Sequence, residues 1–235
     1  MEHLYSYIDE NVDRVREKIA EAAKLSGRRE SDITLMAAVK SADADEINYI
    51  HSRLEINHVG ENRVQQLLDR YEKIDKTDLE IHFIGSLQTN KVKYISDKVS
   101  LIHSMDSLKL CEEIQKQAKK RGIISRVLVE INSGNEENKG GISLCEAERF
   151  CESIQAFDSV ELCGFMTMAP KCEKKSDYYP YFDATREISE KIWKETLGKS
   201  GYPIISMGMS ESFEPAIECG ATLVRIGRTL FTKGE

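Results

Sequence analysis

The sequence predicts an α/β fold, a (β/α)8 TIM barrel. Its pattern is eight short apolar runs that alternate with longer stretches of helical periodicity: ITLMAAV, INHVG, IHFIG, SLIHS, SRVLVEIN, VELCGFMTM, PIISMG and TLVRIG. Short apolar strands that are each followed by a helix are typical of a parallel sheet buried on both faces. Eight such units in 235 residues match the usual size of this barrel, and the absence of a Pro-, Gly- or Ser-rich linker predicts that residues 1–235 form a single domain. An open doubly wound sheet is the competing architecture.

An extra N-terminal helix precedes the first predicted strand. Its apolar residues recur at spacings of three and four and form one stripe: Ile8, Val12, Val15, Ile19 and Ala22. Gly27 follows at the position of a C-terminal cap. At the other end of the chain, residues 227–235 are too few for a full eighth helix after the last apolar run. We therefore expect the N-terminal helix to cover the gap that this short segment leaves.

Some of the intervening helices have recognisable starts. Asp43 with Glu46, and Ser143 with Glu146, each place a glutamate three residues after a good helix-capping residue. This spacing is the pattern of a capping box, in which each side chain accepts a hydrogen bond from the other residue's backbone. Asp106 is expected to start a further helix.

The charge balance argues against several classes of function. Lys and Arg number 33 against 40 Asp and Glu, a formal net charge of −7, and no block of basic residues stands out. Such a chain offers no electrostatic footprint for nucleic acid or for an anionic membrane, so a small ligand is expected. No apolar stretch has the length of a spanning helix and the N-terminus is too charged for a signal peptide, which predicts a cytoplasmic protein. The six cysteines form no CxxC pair or metal-ligand pattern, so reduced thiols and no metal are expected.

Functional side chains of a TIM barrel follow the carboxyl ends of its strands. Lys40 ends the first apolar run, where an apolar wall would disfavour its charged form and make the amine a nucleophile toward a carbonyl compound; a solvated lysine is the alternative. Asn62, after the second run, either binds a ligand or caps the next helix. His82, inside the third run, is either an acid or base of the site or a hydrogen-bonded core residue.

The loops after the seventh and eighth runs have the composition of a phosphate site. SMGMSES places Gly208, Ser210 and Ser212 before a short helix, and RIGRT places Gly227 after the last strand. Backbone amides, small hydroxyls and a helix N-terminus at these two positions often bind phosphate in TIM barrels, although two ordinary glycine turns are the alternative. Arg225, within the eighth run, is costly to bury unless a polar partner or a ligand pairs with it.

Seven ordered motifs give the chain a resemblance to a known family. They are LMAAVK, HVGENRVQQ, IHFIGSLQTNKVK, IHSMDSL, VLVEINSGNEENKGGI, LCGFMTMAP and SMGMSESFEPAIECGATLVRIGRTLF. From the first helix to Phe231 the chain resembles the pyridoxal phosphate homeostasis proteins, also called the YggS/PROSC family. That family is similar to the barrel domain of alanine racemase, fold type III among proteins that bind pyridoxal 5′-phosphate (PLP). The resemblance therefore implies PLP as the cofactor.

The resemblance implies a role for the residues around the cofactor ring. Lys40 would hold the aldehyde of PLP as a Schiff base, and Arg225 would approach the pyridine nitrogen. Asn62 and His82 would lie around the ring. A cationic arginine at the pyridine nitrogen keeps that nitrogen unprotonated, which weakens the ring as an electron sink. Such a site suits holding the cofactor more than making carbanions from it.

The resemblance also implies how the phosphate is bound. Ser210 and the backbone of Gly227 and Arg228 would hold it, with Met209 and Ser206 close by. Arg228 is a departure from the family, whose members commonly carry a small residue or threonine there. The run AAVKSAD is another, since a serine or threonine often precedes the lysine. Backbone contacts survive a change of side chain, so the phosphate site is still expected.

Three functions are compatible with these residues. The resemblance implies a PLP carrier or buffer without robust catalytic activity, expected to be a monomer that also passes PLP to apo-enzymes. A PLP-dependent amino-acid racemase or related enzyme is the second, but racemisation needs an acid or base on each face of the substrate and Lys40 supplies only one. In alanine racemase a second domain contributes the other, and we expect no such domain here. The third is a sugar-phosphate enzyme that uses Lys40 as aldolases use their lysine.

Overall fold

The computed structural model describes residues 4–136 and 140–233, and in it eight parallel strands form a barrel. The strands are β1 (Thr34–Ala38), β2 (His58–Glu61), β3 (Glu80–Phe83), β4 (Leu101–Met105), β5 (Ser125–Asn132), β6 (Val160–Thr167), β7 (Ile204–Met209) and β8 (Leu223–Ile226). Each strand overlaps one of the apolar runs, so all eight predicted strands are confirmed. A two-residue strand, Ile142–Ser143, also pairs with the end of β5.

The ring of strands is closed. Each strand pairs in parallel with its neighbours along the chain, and β8 returns to β1 with Thr34 opposite Leu223 and Met36 opposite Arg225. An open doubly wound sheet is therefore excluded. Because all strands run in one direction, their carboxyl ends meet at one end of the barrel, where functional residues of this fold lie.

Helices surround the ring. In the described part of the chain the α-helices are α1 (Ser6–Leu25), α2 (Ala44–Leu54), α3 (Val64–Arg70), α4 (Val92–Ile95), α5 (Leu108–Arg121), α6 (Ala147–Ile154), α7 (Tyr179–Lys191), α8 (Phe213–Glu218) and α9 (Arg228–Phe231). Short 3-10 turns and one π turn connect some of them: Glu30–Asp32, Tyr71–Lys73, Thr89–Lys91, Lys175–Tyr178 and Ile192–Thr196. None of the helices in residues 4–136 and 140–233 combines the length and apolar character that crossing a bilayer requires.

Helix α1 covers the place of the missing eighth helix. Within the residues described up to position 233, the last strand is followed by the four-residue α9 alone. The Asn11 side chain donates hydrogen bonds to the carbonyls of Leu230, at 3.1 Å, and Thr232, at 3.0 Å. On the other side of α1, the Tyr7 hydroxyl donates to the Glu46 carboxylate of α2 at 2.7 Å. The predicted N-terminal helix and its role in covering the gap are thus confirmed.

Two of the predicted helix ends are confirmed. Gly27 follows α1 with φ of +72°, the left-handed conformation that ends helices. The backbone N–H of Glu46 donates to the Asp43 carboxylate at 2.8 Å, and the Asp43 N–H donates to Glu46 at 2.9 Å. These reciprocal bonds form the predicted capping box of α2.

Two other predicted helix starts are corrected. Ser107, not Asp106, caps α5, because the Ser107 hydroxyl oxygen accepts a hydrogen bond from the Leu110 N–H at 3.4 Å. The capping box at Ser143 and Glu146 is wrong: Ser143 belongs to the two-residue strand, and its hydroxyl donates directly to the Glu146 carboxylate. Because Ser143 lies in this short strand, it is not the first residue of a helix, and α6 begins only after Glu146.

The interior of the ring is partly apolar and partly polar. Two apolar groups fill much of it, and their members are Met36, Ile84 and Leu223 in one and Leu101, Leu128 and Met166 in the other. The strands also place buried polar residues on the inner face: His82, His103, Glu130, Ser206 and Arg225. A TIM barrel interior is a packed core, so buried polar groups there must pair with one another or with a ligand.

Candidate active site at the carboxyl end of the barrel

Lys40 lies two residues beyond β1, at the carboxyl end of the barrel. The strand end before it is tightly enclosed: the Val39 N–H donates to the Gly60 carbonyl at 3.0 Å, and a Cβ at Gly227 would lie 2.8 Å from the Ala38 carbonyl oxygen. These contacts fix the backbone that leads to Lys40 between the ends of β2 and β8. The predicted apolar wall around the amine is wrong, because Lys40 is exposed.

Asn62 follows β2 directly and is half-buried. A Cβ at Gly85 would lie only 2.1 Å from the Asn62 carbonyl oxygen, so the ends of β2 and β3 are in close contact. The N-cap of α3 is Arg63, and that cap has no side-chain hydrogen bond. The alternative role of Asn62 as a helix cap is therefore excluded, and its role toward a ligand stays a prediction.

Residues 208–212 and 227–229 form what we call the phosphate cup, the two loops after β7 and β8. The Ser210 hydroxyl oxygen joins the loops by accepting a hydrogen bond from the Thr229 N–H at 3.4 Å. Gly208 has φ of +88°, and a Cβ there would lie 2.6 Å from the Cβ of Ala216, so only glycine fits this turn. At Gly227 the close approach to β1 likewise leaves no room for a side chain.

The backbone of the phosphate cup has unused donors. Among residues 4–136 and 140–233, no group accepts a hydrogen bond from the backbone N–H of Ser210 or of Gly227. Helix α9 starts at Arg228, whose N–H also has no acceptor in the described part of the chain, whereas the Thr229 N–H is bonded to Ser210 and the Leu230 N–H to the Gly227 carbonyl. Backbone N–H groups arranged in this way bind anions such as phosphate esters. The cup therefore fits a phosphate-bearing ligand.

The side chains of Arg228 and Ser212 are bonded to other groups of the protein, and that of Met209 is partly exposed to solvent. Arg228 Nη1 lies 2.7 Å from Glu211 Oε1, and both side chains are largely exposed. The Ser212 hydroxyl oxygen accepts a hydrogen bond from the Met209 N–H at 3.2 Å, while the Met209 side chain is 41% exposed. Arg228 therefore offers its backbone to the cup, and its charge is paired with Glu211.

Arg225 has the polar partners that a buried arginine requires. Its Nη1 donates to the backbone oxygen and to the hydroxyl oxygen of Ser206, both at 2.8 Å, and its Nη2 donates to the Thr167 carbonyl at 2.9 Å. Arginine has five N–H donors, so the Nε–H and one Nη2–H have no partner among the described residues. Burial lowers the pKa of Arg225 to about 10, which leaves it cationic at neutral pH. Ser206 consequently lies beneath Arg225 and not in the phosphate cup.

His82 stands between two other histidines inside the barrel. His58 Nδ1 lies 3.1 Å from His82 Nε2, and His82 Nδ1 lies 2.8 Å from His103 Nε2. We call these three residues the histidine column. They follow one another in a line, and the described residues contain no cluster of His, Cys, Asp or Glu that could hold a metal ion. Since both ring nitrogens of His82 are engaged, the structure favours a hydrogen-bonded core role over an acid or base.

Glu130 is an interior residue that sequence reasoning missed. It lies on β5 and is 6% exposed, and in the described part of the chain no group donates a hydrogen bond to its carboxylate. Burial and the nearby charge of Asp106 raise the pKa of Glu130 to about 7, while Arg225 acts in the opposite direction. A Cβ at Gly140 would lie 3.9 Å from both carboxylate oxygens of Glu130, so the segment that begins at Gly140 passes over Glu130. The sequence signal that could have identified Glu130 was a charged residue within the apolar run SRVLVEIN.

Comparison with known proteins found similar sequences over most of the chain. Residues 10–233 match the family model for the N-terminal domain of alanine racemase. A protein of Aquifex aeolicus named pyridoxal phosphate homeostasis protein is 43% identical over 222 residues, which cover 94% of this chain and 96% of that protein. The Escherichia coli K12 protein of the same name is 32% identical, with 95% of each chain covered.

Solved structures have the same barrel. PipY of Synechococcus elongatus, determined with PLP bound, superposes with a TM-score of 0.77 at 26% identity and covers 91% of this chain and 100% of its own. Alanine racemase of Clostridium difficile superposes with a TM-score of 0.74 at 17% identity, covering 97% of this chain but 57% of the racemase. At that identity the likeness to the racemase shows the fold alone.

The raised pKa of Glu130 makes stability depend on pH. Because the folded pKa of about 7 lies above the ordinary value of 4.5, the stability that this carboxyl contributes is full below pH 4.5 and is lost as pH rises through 7. Glu130→Gln removes this titration. We expect the unfolding free energy of the variant to rise relative to wild type by up to about 3 kcal/mol between pH 4.5 and 8, measured by urea denaturation. The exposed Glu152→Gln is the control; parallel curves for Glu130→Gln and wild type would show that Glu130 does not titrate in this range.

Proposed function

The chain belongs to the pyridoxal phosphate homeostasis protein family, and on that premise we propose that it binds PLP at the carboxyl end of the barrel and acts as a cytoplasmic carrier or buffer of this cofactor. The observation that carries the proposal is the pair of N–H donors on Arg225 that have no acceptor in the part of the chain that the structure describes. Arg225 is a buried cation beneath the rim that also bears Lys40 and the phosphate cup. A planar ligand with a ring acceptor at one end and a phosphate at the other matches these donors.

Each group of the site has a separate task in this proposal. The amine of Lys40 would bind the aldehyde covalently, and the Ser210 hydroxyl with the backbone of Gly227 and Arg228 would hold the phosphate. Arg225, which is buried, would donate a hydrogen bond to the pyridine nitrogen. Asn62, Met209, His82 and Ser206 are proposed to surround the ring and the cup, the last two from beneath. When bound, PLP supplies an aldehyde that condenses with amines and a ring that can accept electrons.

Two features support a carrier over an enzyme. Arg225 stays cationic at neutral pH, so it cannot accept a proton from the pyridine nitrogen or hand one to it, and a neighbouring cation disfavours protonation of that nitrogen. The ring is then a weak electron sink. Relatives such as those of Aquifex and Escherichia are named as homeostasis proteins, which also favours a carrier. We propose that the chain works as a monomer of one domain and passes PLP to apo-enzymes.

A PLP-dependent amino-acid enzyme is the second candidate, and one observation favours it. Glu130 is a buried carboxyl on the inner face of β5 without a described hydrogen-bond donor, and its pKa of about 7 suits proton transfer near neutral pH. With Lys40 it would make two titratable groups at one end of the barrel. The carrier remains the preferred function because the ring electronics set by Arg225 act against carbanion formation.

The covalent link predicts selective labelling of one lysine. Borohydride reduction of the PLP-loaded protein should fix the cofactor on the peptide that contains Lys40, as read by mass spectrometry. Lys40→Ala should lose the label, whereas Lys174→Ala, which removes another exposed lysine beside Ser210, should keep it. A label on Lys174 or Lys175, or none after reconstitution, would overturn the assignment of Lys40.

The phosphate cup predicts an affinity change that is independent of the covalent link. Ser210→Ala removes a hydroxyl donor to a charged phosphate, a loss of about 1.5 to 3 kcal/mol, or roughly tenfold to more than a hundredfold in Kd. Borohydride labelling at saturating PLP should persist, because aldehyde capture uses a different group. Ser153→Ala, on the outer helix α6, is the control. An unchanged Kd for Ser210→Ala in a spectroscopic PLP titration would move the phosphate elsewhere.

The carrier and the enzyme predict different rates at the substrate Cα. In heavy water, the PLP-loaded protein should exchange the Cα proton of alanine or serine far more slowly than ordinary enzymes turn over, about 1 per second or more. It should also reactivate an apo-transaminase. Exchange at enzymatic rates would replace the carrier by the second candidate, and loss of that exchange in Glu130→Gln would identify the acid or base. Failure to reactivate any apo-enzyme would leave storage without delivery.

A further inference from the structure

The histidine column continues to the site through one serine. His103 Nδ1 lies 3.1 Å from the Ser206 hydroxyl oxygen, the same oxygen that accepts from Arg225. At its other end, His58 lines a cavity of about 350 Å³ formed by the first residues of several strands, so it opens at the amino-terminal end of the barrel. A line of hydrogen bonds thus connects the two ends of the barrel interior. The proposed function makes Arg225 a hydrogen-bond donor to the ligand and places Ser206 and His82 beneath the ligand, but it gives His103 and His58 no role.

The two partners of the Ser206 hydroxyl fix the direction in which hydrogen bonds are donated along this line. Arginine has donors and no acceptor, so the Ser206 hydroxyl oxygen must accept the hydrogen bond from Arg225 Nη1. Ser206 is fully buried, and its own hydroxyl hydrogen therefore needs an acceptor. Among the described residues that acceptor is His103 Nδ1. Ser206 consequently donates to His103.

The direction passes from one histidine to the next. A neutral imidazole has one donor and one acceptor, so His103, which accepts at Nδ1, carries its proton on Nε2 and donates to His82 Nδ1. His82 in turn donates from Nε2 to His58 Nδ1. All three rings are then protonated at Nε2. The opposite direction would give the Ser206 oxygen two donors and leave its own hydrogen without an acceptor.

The surroundings of the histidine column keep its rings neutral. Burial lowers the pKa of each histidine, to about 3 for His82. Arg126 and the neighbouring His58 act on His82 in the same direction, and Arg225 does so on His103, whereas Glu80 acts oppositely on His58. A second proton on His82 would set its Nδ1–H against the Nε2–H of His103, and a second proton on His103 would set its Nδ1–H against the hydroxyl hydrogen of Ser206.

We propose that His103, backed by His82 and His58, is a positioning residue for Arg225: by accepting the Ser206 hydrogen it holds the Ser206 oxygen as an acceptor for the guanidinium. The remaining donors of Arg225 then keep one orientation toward a ligand. Where the ligand is concerned, the inference rests on the proposed function. The arrangement of protons in the ligand-free protein does not.

The first experiment determines the protonated nitrogen of each ring by long-range 1H–15N NMR of the ligand-free wild-type protein near pH 7. Signals are assigned with single His→Gln variants, including as a reference His51→Gln, a half-buried residue of α2 outside the histidine column. We expect neutral rings with the proton on Nε2 for His58, His82 and His103. A proton on Nδ1 of His103, or a charged ring there, would overturn the proposal. This result is independent of whether the protein binds PLP.

The second experiment compares His103→Leu with His103→Gln by PLP titration and by the absorption band of the bound cofactor. The leucine removes the acceptor for the Ser206 hydrogen, and we expect a Kd about tenfold weaker and a shifted band. The glutamine side chain can accept that hydrogen and should restore most of the affinity and the band position. His51→Gln should match wild type.

Equal loss in the leucine and glutamine variants, with both folded by thermal unfolding, would show a merely structural role for His103 and overturn the proposal. Wild-type behaviour of both variants would overturn it as well. If wild-type protein itself binds no PLP, the proposed function fails, and the NMR result alone decides the arrangement of the histidine column. The two failures are therefore distinguishable.

Discussion

The burial of one guanidinium, that of Arg225, constrains the rest of the barrel interior. An arginine remains charged when buried, so it persists there only if oxygen acceptors surround it. The acceptors come from two other strands, Thr167 at the end of β6 and Ser206 in β7. The three hydrogen bonds form only if β6 and β7 keep their register relative to β8. The pairing of β7 with β8 shifts register just beyond Ser206. The charge thus fixes the geometry of the same strand ends that carry the phosphate cup.

The site separates its electrostatic tasks between side chains and backbone. Among the described residues, the interior places a permanent cation, Arg225, near an acid, Glu130, that titrates near neutrality. The phosphate cup, in contrast, presents backbone N–H groups, while the charge of Arg228 is neutralised by Glu211 in water. Backbone dipoles bind an anion without placing a second cation beside Arg225. A ligand can therefore lie across the rim with its two ends in different electrostatic surroundings.

Much of the fold followed from the sequence because its pattern was local. The eight apolar runs predicted eight strands, and the short segment after the last run predicted that the N-terminal helix covers the gap left by a short eighth helix. A charged residue within an apolar run predicted that Arg225 has a polar partner. The same signal was present for Glu130 in VLVEIN, but the polar segment that directly follows this run made Glu130 resemble the start of a loop. The histidine column was beyond prediction, because His58, His82 and His103 come from three strands and meet only through the barrel's register. The exposure of Lys40 likewise depends on how far the chain runs past β1.

The hydrogen bonds from Asn11 to the end of the chain have a consequence for synthesis. The two bonded segments are separated by 219 residues, so α1 leaves the ribosome long before its partners exist. At a rate of roughly 5–20 residues per second, that interval is about 10 to 45 s. During it the apolar stripe of α1 has neither α8 nor α9 to cover it, and a nascent chain with such a stripe is open to aggregation or to capture by chaperones. Helix α1 thus reaches its final place only after the chain has been made as far as Leu230 and Thr232.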